Sequence, residues 1–80
     1  MQKFEIIAEQ NSPSDEKIIV HEVLVAVGEI VRKEQTLFVA EGAKALFDIV
    51  SPADGKILSI QINSGEYCDI GQVLAILENE

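Results

Sequence analysis

One lysine, Lys44, stands among small residues in the stretch Glu41-Gly42-Ala43-Lys44-Ala45. Apolar runs flank it, Leu37 to Ala40 before and Leu46 to Val50 after. An unperturbed lysine amine is protonated near neutral pH and is then a poor nucleophile. Gly42, Ala43 and Ala45 offer no titratable group, and the nearby Glu41 favours the charged amine. Catalysis by this lysine is therefore not expected. Covalent attachment of a group to it is a different matter. A modifying enzyme needs an exposed amine, small neighbours that let its active site close over it, and a firm scaffold. The stretch suggests all three.

Little else in the chain could carry chemistry. His21 is the only histidine, and a metal site needs several ligands. It follows Val20 in a run whose core positions are 20, 23 and 25, so an edge or outward place without a partner is expected. Cys68 is the only cysteine, which rules out an internal disulfide and suits a reducing compartment. It falls at an apolar position and reads as an inert small hydrophobe. We find no phosphate-cradling glycine loop, no nucleophile-histidine-acid set and no Cys/His metal spacing.

The elements that must position Lys44 follow from composition and pattern. With 80 residues, residues 1–80 read as one domain with a single modest core. A hydrophobic content of 48% argues against disorder. The net charge of −8, with no basic cluster, argues against sequence-independent nucleic-acid binding and against anionic membranes. The N-terminal stretch has no long apolar core, so neither signal peptide nor membrane span is expected, and the cytoplasm is the expected setting.

The apolar residues come in short Ile/Val-rich runs at 4–7, 17–25, 36–40, 45–50, 56–62 and 72–77. Gly, Pro, Asn, Asp and Ser separate them, which is the pattern of an all-β sandwich or barrel. The loop Asn11 to Glu16 follows the first run. Ser51-Pro52-Ala53-Asp54-Gly55 reads as a turn, with Pro52 fixing φ and Asp54-Gly55 supplying a left-handed position.

An internal repeat organises these runs. A shift of 37 positions lays residues 27–41 on 64–78, matching Gly28 with Gly65, Glu29 with Glu66, Gln35 with Gln72, Leu37 with Leu74 and Glu41 with Glu78. Upstream, Val20, Val23 and Val25 meet Ile57, Ile60 and Ile62, a spacing that implies a β-bulge. Glu34 falls where the second copy has Gly71, so that turn is expected to differ. The repeat predicts a pseudo-twofold barrel, each half running strand, Gly-Glu turn, short strand, turn, strand. It places Lys44 at or beside the tip of a hairpin joining the halves, with Gly42 the residue best able to take φ > 0 there. No unpaired sheet edge is expected if the two sheets close on each other.

Over essentially its whole length the chain resembles the biotinyl/lipoyl attachment domains. The resemblance rests on Gly28-Glu29-Ile30-Val31, Gln35-x-Leu37, Glu41-x-x-Lys44-Ala45, Pro52-x-x-Gly55-x-Ile57, and Gly65-Glu66 through Gly71-Gln72-x-Leu74. It implies a flattened barrel of two four-stranded sheets with quasi-twofold symmetry, the single hybrid motif. It also implies that Lys44 takes lipoate or biotin as an amide, on a hairpin formed by Glu41, Gly42, Ala43 and Ala45. Biotinyl domains usually place Met on both sides of the lysine, and Ala43 and Ala45 lack both. Lipoyl domains usually read Glu-x-Asp-Lys-Ala, which Glu41, Lys44 and Ala45 match while Ala43 replaces the Asp. Leu46 stands where the family prefers a smaller or β-branched residue. In lipoyl domains the first loop lies near the lysine and helps partner recognition.

The implied function is that of a lipoyl carrier, as in the acyltransferases of 2-oxo acid dehydrogenase complexes. Such a swinging-arm domain is not itself catalytic. It is monomeric, is modified by a lipoate-attaching enzyme and shuttles an acyl or related group between partner active sites. Two alternatives stand beside it: a biotin carboxyl carrier, and an unmodified barrel serving as a protein-protein interaction module.

Overall fold

The computed structural model describes residues 2–79. It contains eight strands: β1 (Gln2–Ile7), β2 (Lys17–Val23), β3 (Ile30–Val31), β4 (Thr36–Glu41), β5 (Leu46–Val50), β6 (Gly55–Ile60), β7 (Tyr67–Asp69) and β8 (Val73–Asn79). They form two antiparallel four-stranded sheets, ordered β1-β8-β6-β3 and β5-β4-β2-β7. The all-β flattened barrel read from the sequence is the fold. The short β3 and β7 are the short strands that the repeat required after each Gly-Glu turn.

The repeat is visible in hydrogen bonds as well as in residue types. Glu29 Oε1 accepts the Ala26 amide at 3.1 Å, and Glu66 Oε1 accepts the Asn63 amide at 2.7 Å. Gln35 Oε1 accepts from Arg32, and Gln72 Oε1 accepts from Asp69. Gly28 and Gly65 both take the left-handed conformation, at φ 91° and 88°, where a side chain would be strained. The paired acids and glutamines thus satisfy turn amides that the sheets leave unpaired. The bulge also recurs: the register slips between Val20 and Glu22 against β4, and between Ile57 and Ser59 against β8.

The symmetry extends to a segment that the shift of 37 does not reach. Phe4-Glu5-Ile6-Ile7 in β1 occupies the place of Phe47-Asp48-Ile49-Val50 in β5, an offset of 43. Ile7 pairs with Val73 as Val50 pairs with Thr36, and Val73 is the repeat partner of Thr36. Ala8 and Ser51 then correspond: Ala8 donates to Gln72 O and accepts from Gly71, while Ser51 donates to Gln35 O and accepts from Glu34. The difference of offsets, 43 − 37 = 6, measures how many residues the stretch from Ile7 to Ile18 gains over the equivalent stretch from Val50 to Gly55.

Both halves fill one core. Val20 and Ile57, Val31 and Cys68, Leu37 and Leu74, and Ile6 and Ile49 are buried repeat pairs. Elsewhere the volumes are exchanged. Phe38 faces its counterpart role against Ala75, and Ala40 against Leu77, so a large residue in one half answers a small one in the other. Close packing at near-crystalline density requires such compensation.

Three expectations change. Gly55 does not supply a left-handed position; it opens β6, and a Cβ there would lie 2.3 Å from Glu78 O and 3.0 Å from Leu77 Cδ1. Its repeat partner is the buried Ile18, so Leu77 takes in one half the space that Ile18 takes in the other. The turn at Glu34 is not different from the turn at Gly71: Glu34 adopts φ 71° and Gly71 φ 89°. The sheets also retain open edges, since among the described residues β1 and β5 each hydrogen-bond to a single neighbouring strand.

Candidate functional site

β4 runs Leu37 to Ala40 without a polar residue, β5 is apolar except for Asp48, and the two pair antiparallel up to Glu41 opposite Leu46. Four residues, Gly42 to Ala45, make the connection, closed by the Gly42 amide donating to Ala45 O at 3.0 Å. Ala43, Lys44 and Ala45 are all exposed. Lys44 makes no side-chain hydrogen bond or ion pair among the described residues. The five residues singled out in the sequence therefore come together at one hairpin end, with Lys44 exposed.

Gly42 is needed there for a reason other than its backbone freedom. It does not take a positive φ. A Cβ on it would meet the Asp15 carboxylate, with Asp15 Oδ2 at 2.6 Å and Oδ1 at 2.7 Å. The glycine makes room for an acid arriving from the β1–β2 loop.

Asp15 is the residue that sequence reasoning missed. Its carboxylate is 4% exposed although the loop around it is at the surface. Oδ1 accepts the Ala43 amide at 2.7 Å, across 28 residues of sequence. Oδ2 accepts the amides of Asn11 at 3.0 Å and Ser12 at 2.9 Å. Gln10 Nε2 donates back to Asp15 O at 3.1 Å, so the loop is closed on itself. Above all the Ala43 amide, then those of Ser12 and Asn11, and last the charge of Lys44, hold the Asp15 carboxyl below the usual aspartate range; burial opposes them. The acid at the tip is thus Asp15. Glu41, expected to favour the charged lysine, turns away from it.

Glu41 Oε1 instead meets His21 Nε2 at 2.6 Å. His21 faces outward as expected, but it sits at the bulge of β2, a central strand rather than an edge, and it has a partner. The Ser64 hydroxyl also donates to His21 O at 2.6 Å. Cys68 is buried, as its apolar position required, and burial with the neighbouring Asp69 charge pushes its thiol up.

Around the tip, Leu46, Glu41, Ile19 and Tyr67 are successive cross-strand partners over the outer face of the second sheet. Leu46 and Tyr67 are exposed. Between this row and the β1–β2 loop runs a groove of about 420 Å³, lined by Asp15, Glu16, Ile19, Gly42, Ala43 and Tyr67 among others. A second groove, of about 280 Å³, is lined by Ile30, Asp54, Gly55, Lys56, Glu78 and Asn79. A shift of 37 carries Lys17, Ile19, Glu41 and Gly42 of the first onto Asp54, Lys56, Glu78 and Asn79 of the second. The second groove has no counterpart of the Asp15 loop.

This tip fits an amide-linked carrier group. The amine is exposed and unpaired, its flanking side chains are single methyl groups, and the backbone beneath is pinned by a buried carboxylate.

Comparison with known proteins agrees with that fit. The biotin/lipoyl family, described as biotin-requiring enzyme, matches residues 7–77. The dihydrolipoyllysine-residue acetyltransferase component of the pyruvate dehydrogenase complex of Haemophilus influenzae is 32% identical over 74 residues, 90% of this chain and 13% of that protein. The protein of the same name from Mycoplasma pneumoniae is 37% identical over 60 residues, 75% of this chain and 15% of that protein. The biotin carboxyl carrier protein of acetyl-CoA carboxylase from Streptococcus pyogenes is 38% identical over 50 residues, 62% of this chain and 30% of that protein. The chain thus spans about a seventh of the length of the acetyltransferases it matches. Among solved structures, the lipoyl domain of the 2-oxoglutarate dehydrogenase complex from Azotobacter vinelandii superposes with a TM-score of 0.74 at 24% identity, covering 92% of this chain and 96% of that one. It shares the fold. By the span of the family match and by these relatives, the chain belongs to the biotin/lipoyl attachment family.

Proposed function

We propose that the chain is a lipoyl carrier domain and that Lys44 is its attachment point. One observation carries the proposal: a single exposed lysine stands in the four-residue β4–β5 connection, held on both sides by paired strands. Glu41, Gly42, Ala43 and Ala45 form the presenting hairpin. Lipoate bound there would supply a dithiolane able to take up and release an acyl group.

The chain's own contribution is positional. A tethered group meets successive active sites at high effective concentration, which makes each transfer nearly intramolecular. The paired strands restrict the base of the arm while leaving the arm free. The domain supplies no catalytic group of its own; partner enzymes of the 2-oxo acid dehydrogenase type would supply the chemistry. The net charge of −8 suits docking against basic rims. A monomeric unit over residues 1–80 in the cytoplasm completes the proposal, with the unpaired, buried Cys68 in accord with a reducing setting.

Lipoate is favoured over biotin by Ala43 and Ala45, where biotinyl domains usually carry Met, and by the acetyltransferase relatives. The test is the intact mass of the 80-residue chain produced in cells supplied with both cofactors. A lipoyl-sized increment that vanishes in Lys44→Ala is expected. A biotin-sized increment would replace lipoate by biotin. An unmodified chain, under conditions that modify a control lipoyl domain, would overturn the carrier reading in favour of an interaction module.

A further inference from the structure

Three features are unexplained by a lysine on a hairpin: the six extra residues between Ile7 and Ile18, the burial of Asp15 in that stretch, and the need for glycine at position 42. They meet at one point. Asp15 Oδ1 takes the Ala43 amide, Asp15 Oδ2 closes the loop through Asn11 and Ser12, and the absent Cβ of Gly42 leaves space for the carboxylate. Among the described residues the second half has neither the extra residues nor a buried acid at the equivalent groove, where the exposed Asp54 takes the Lys33 amide.

We propose that Asp15 is a positioning residue for modification at Lys44, clasping the β1–β2 loop to the hairpin and fixing the peptide that precedes the lysine. The assignment rests on the attachment reading given above and adds a residue to it. In the attachment reaction the uncharged Lys44 amine attacks a carboxyl carbon activated as a mixed anhydride with a nucleotide phosphate, and the acyl C–O bond to that phosphate breaks. The C–N bond forms, the nucleotide phosphate leaves with its bonding pair, and one amine proton passes to solvent. Asp15 takes no part in that attack, its carboxylate oxygens being engaged by the Ala43, Asn11 and Ser12 amides. Its role is geometric. A modifying enzyme must enclose the tip, and a tip already held in one conformation loses less entropy on being enclosed.

The clasp also stands where this chain departs from the lipoyl pattern. Ala43 replaces the aspartate usual before the lysine, yet a carboxylate is still present beside residue 43, delivered from residue 15. A carboxylate against the backbone of residue 43 is thus supplied from another part of the chain.

The experiment compares wild type, Asp15→Asn, Asp15→Ala and Glu9→Gln as 80-residue chains. Glu9 is exposed, so its substitution controls for net charge. Attachment by a lipoate-protein ligase with lipoate and ATP is followed by intact mass across chain concentrations, and exchange of the Ala43 amide is followed by NMR. Both Asp15 variants are expected to raise KM about tenfold with kcat within about twofold, and to speed Ala43 exchange. Exchange at Leu37 and Leu74 should stay slow, showing that the barrel is intact. Glu9→Gln should match wild type. Wild-type KM in both Asp15 variants overturns the assignment, whatever Ala43 does. Raised KM with unchanged Ala43 exchange also overturns it, since the effect would not run through the clasp. Absence of any increment on wild type would overturn the attachment reading and this assignment together, whereas normal wild-type attachment with unaltered variants removes the assignment alone.

Discussion

Glu34 and Gly71 occupy equivalent turns of the two halves in the same left-handed conformation, φ 71° and 89°, although one is a glutamate. The Glu34 amide donates to Ser51 O at 2.7 Å as the Gly71 amide donates to Ala8 O at 2.9 Å. Tertiary hydrogen bonding therefore imposes the conformation, and the glutamate bears the strain.

Glu34→Gly should relieve that strain and raise stability by up to about 1 kcal/mol, offset in part by the greater freedom of glycine in the unfolded chain. Gly71→Ala should lower stability by about 1 kcal/mol or more. Urea unfolding of both variants checks the pair. Equal stability of Glu34→Gly and wild type would show that the glutamate side chain offsets its backbone cost.

Gly55→Ala should cost about 1–3 kcal/mol, since its methyl would collide with the backbone of Glu78 and no side-chain rotation relieves that. Thermal unfolding gives the answer. A neutral effect would mean that β6 and β8 can part at this point without loss.

Lys44→Ala should change stability by less than about 0.5 kcal/mol, because the residue is exposed and makes no ion pair among the described residues. It should abolish labelling. The double change Ala43→Met with Ala45→Met should move labelling from lipoate toward biotin, read as a change in mass increment. Retained lipoate labelling with no biotin would show that the flanking residues do not select the cofactor.

The pH dependence of Asp15 follows from its depressed folded-state pKa. Such a group contributes stability that is fully present above its unfolded value and is lost as pH falls through the lower folded value. The clasp should therefore persist through mildly acidic pH and open only below about pH 4. In an NMR titration, the Asp15 carboxyl and the Ala43 amide should shift together, with a midpoint below the ordinary aspartate value. Independent midpoints for Asp15 and Ala43 would contradict the hydrogen bond as the main cause.

Much of this fold was readable because the repeat states it twice. Matched Gly-Glu and Gln positions, and the spacing of Val20, Val23 and Val25, announced turns, bulge and core before any coordinate. The copy of β1 in β5 was also present, as Phe-Glu-Ile-Ile against Phe-Asp-Ile-Val, but an inserted loop moves it out of the common offset. Glycines were harder. Gly42 and Gly55 look like turn residues in sequence, yet each is small because a carboxylate or a carbonyl lies against it. Asp15 was not legible at all. In Ser-Pro-Ser-Asp it resembles an ordinary turn residue, and its partner stands 28 positions away. Local pattern reports local turns; a contact between a loop and a distant hairpin needs the fold first.

A protein built twice over has an orientation problem. Its two grooves are near-duplicates, and an enzyme that read only the repeated features would visit both. At one, β4 turns back through Lys44. At the other, Gln2 of β1 and Asn79 of β8 lie paired. The six inserted residues occur beside the first alone. They give a duplicated molecule a front and a back, a distinction that the attachment proposed at Lys44 would require.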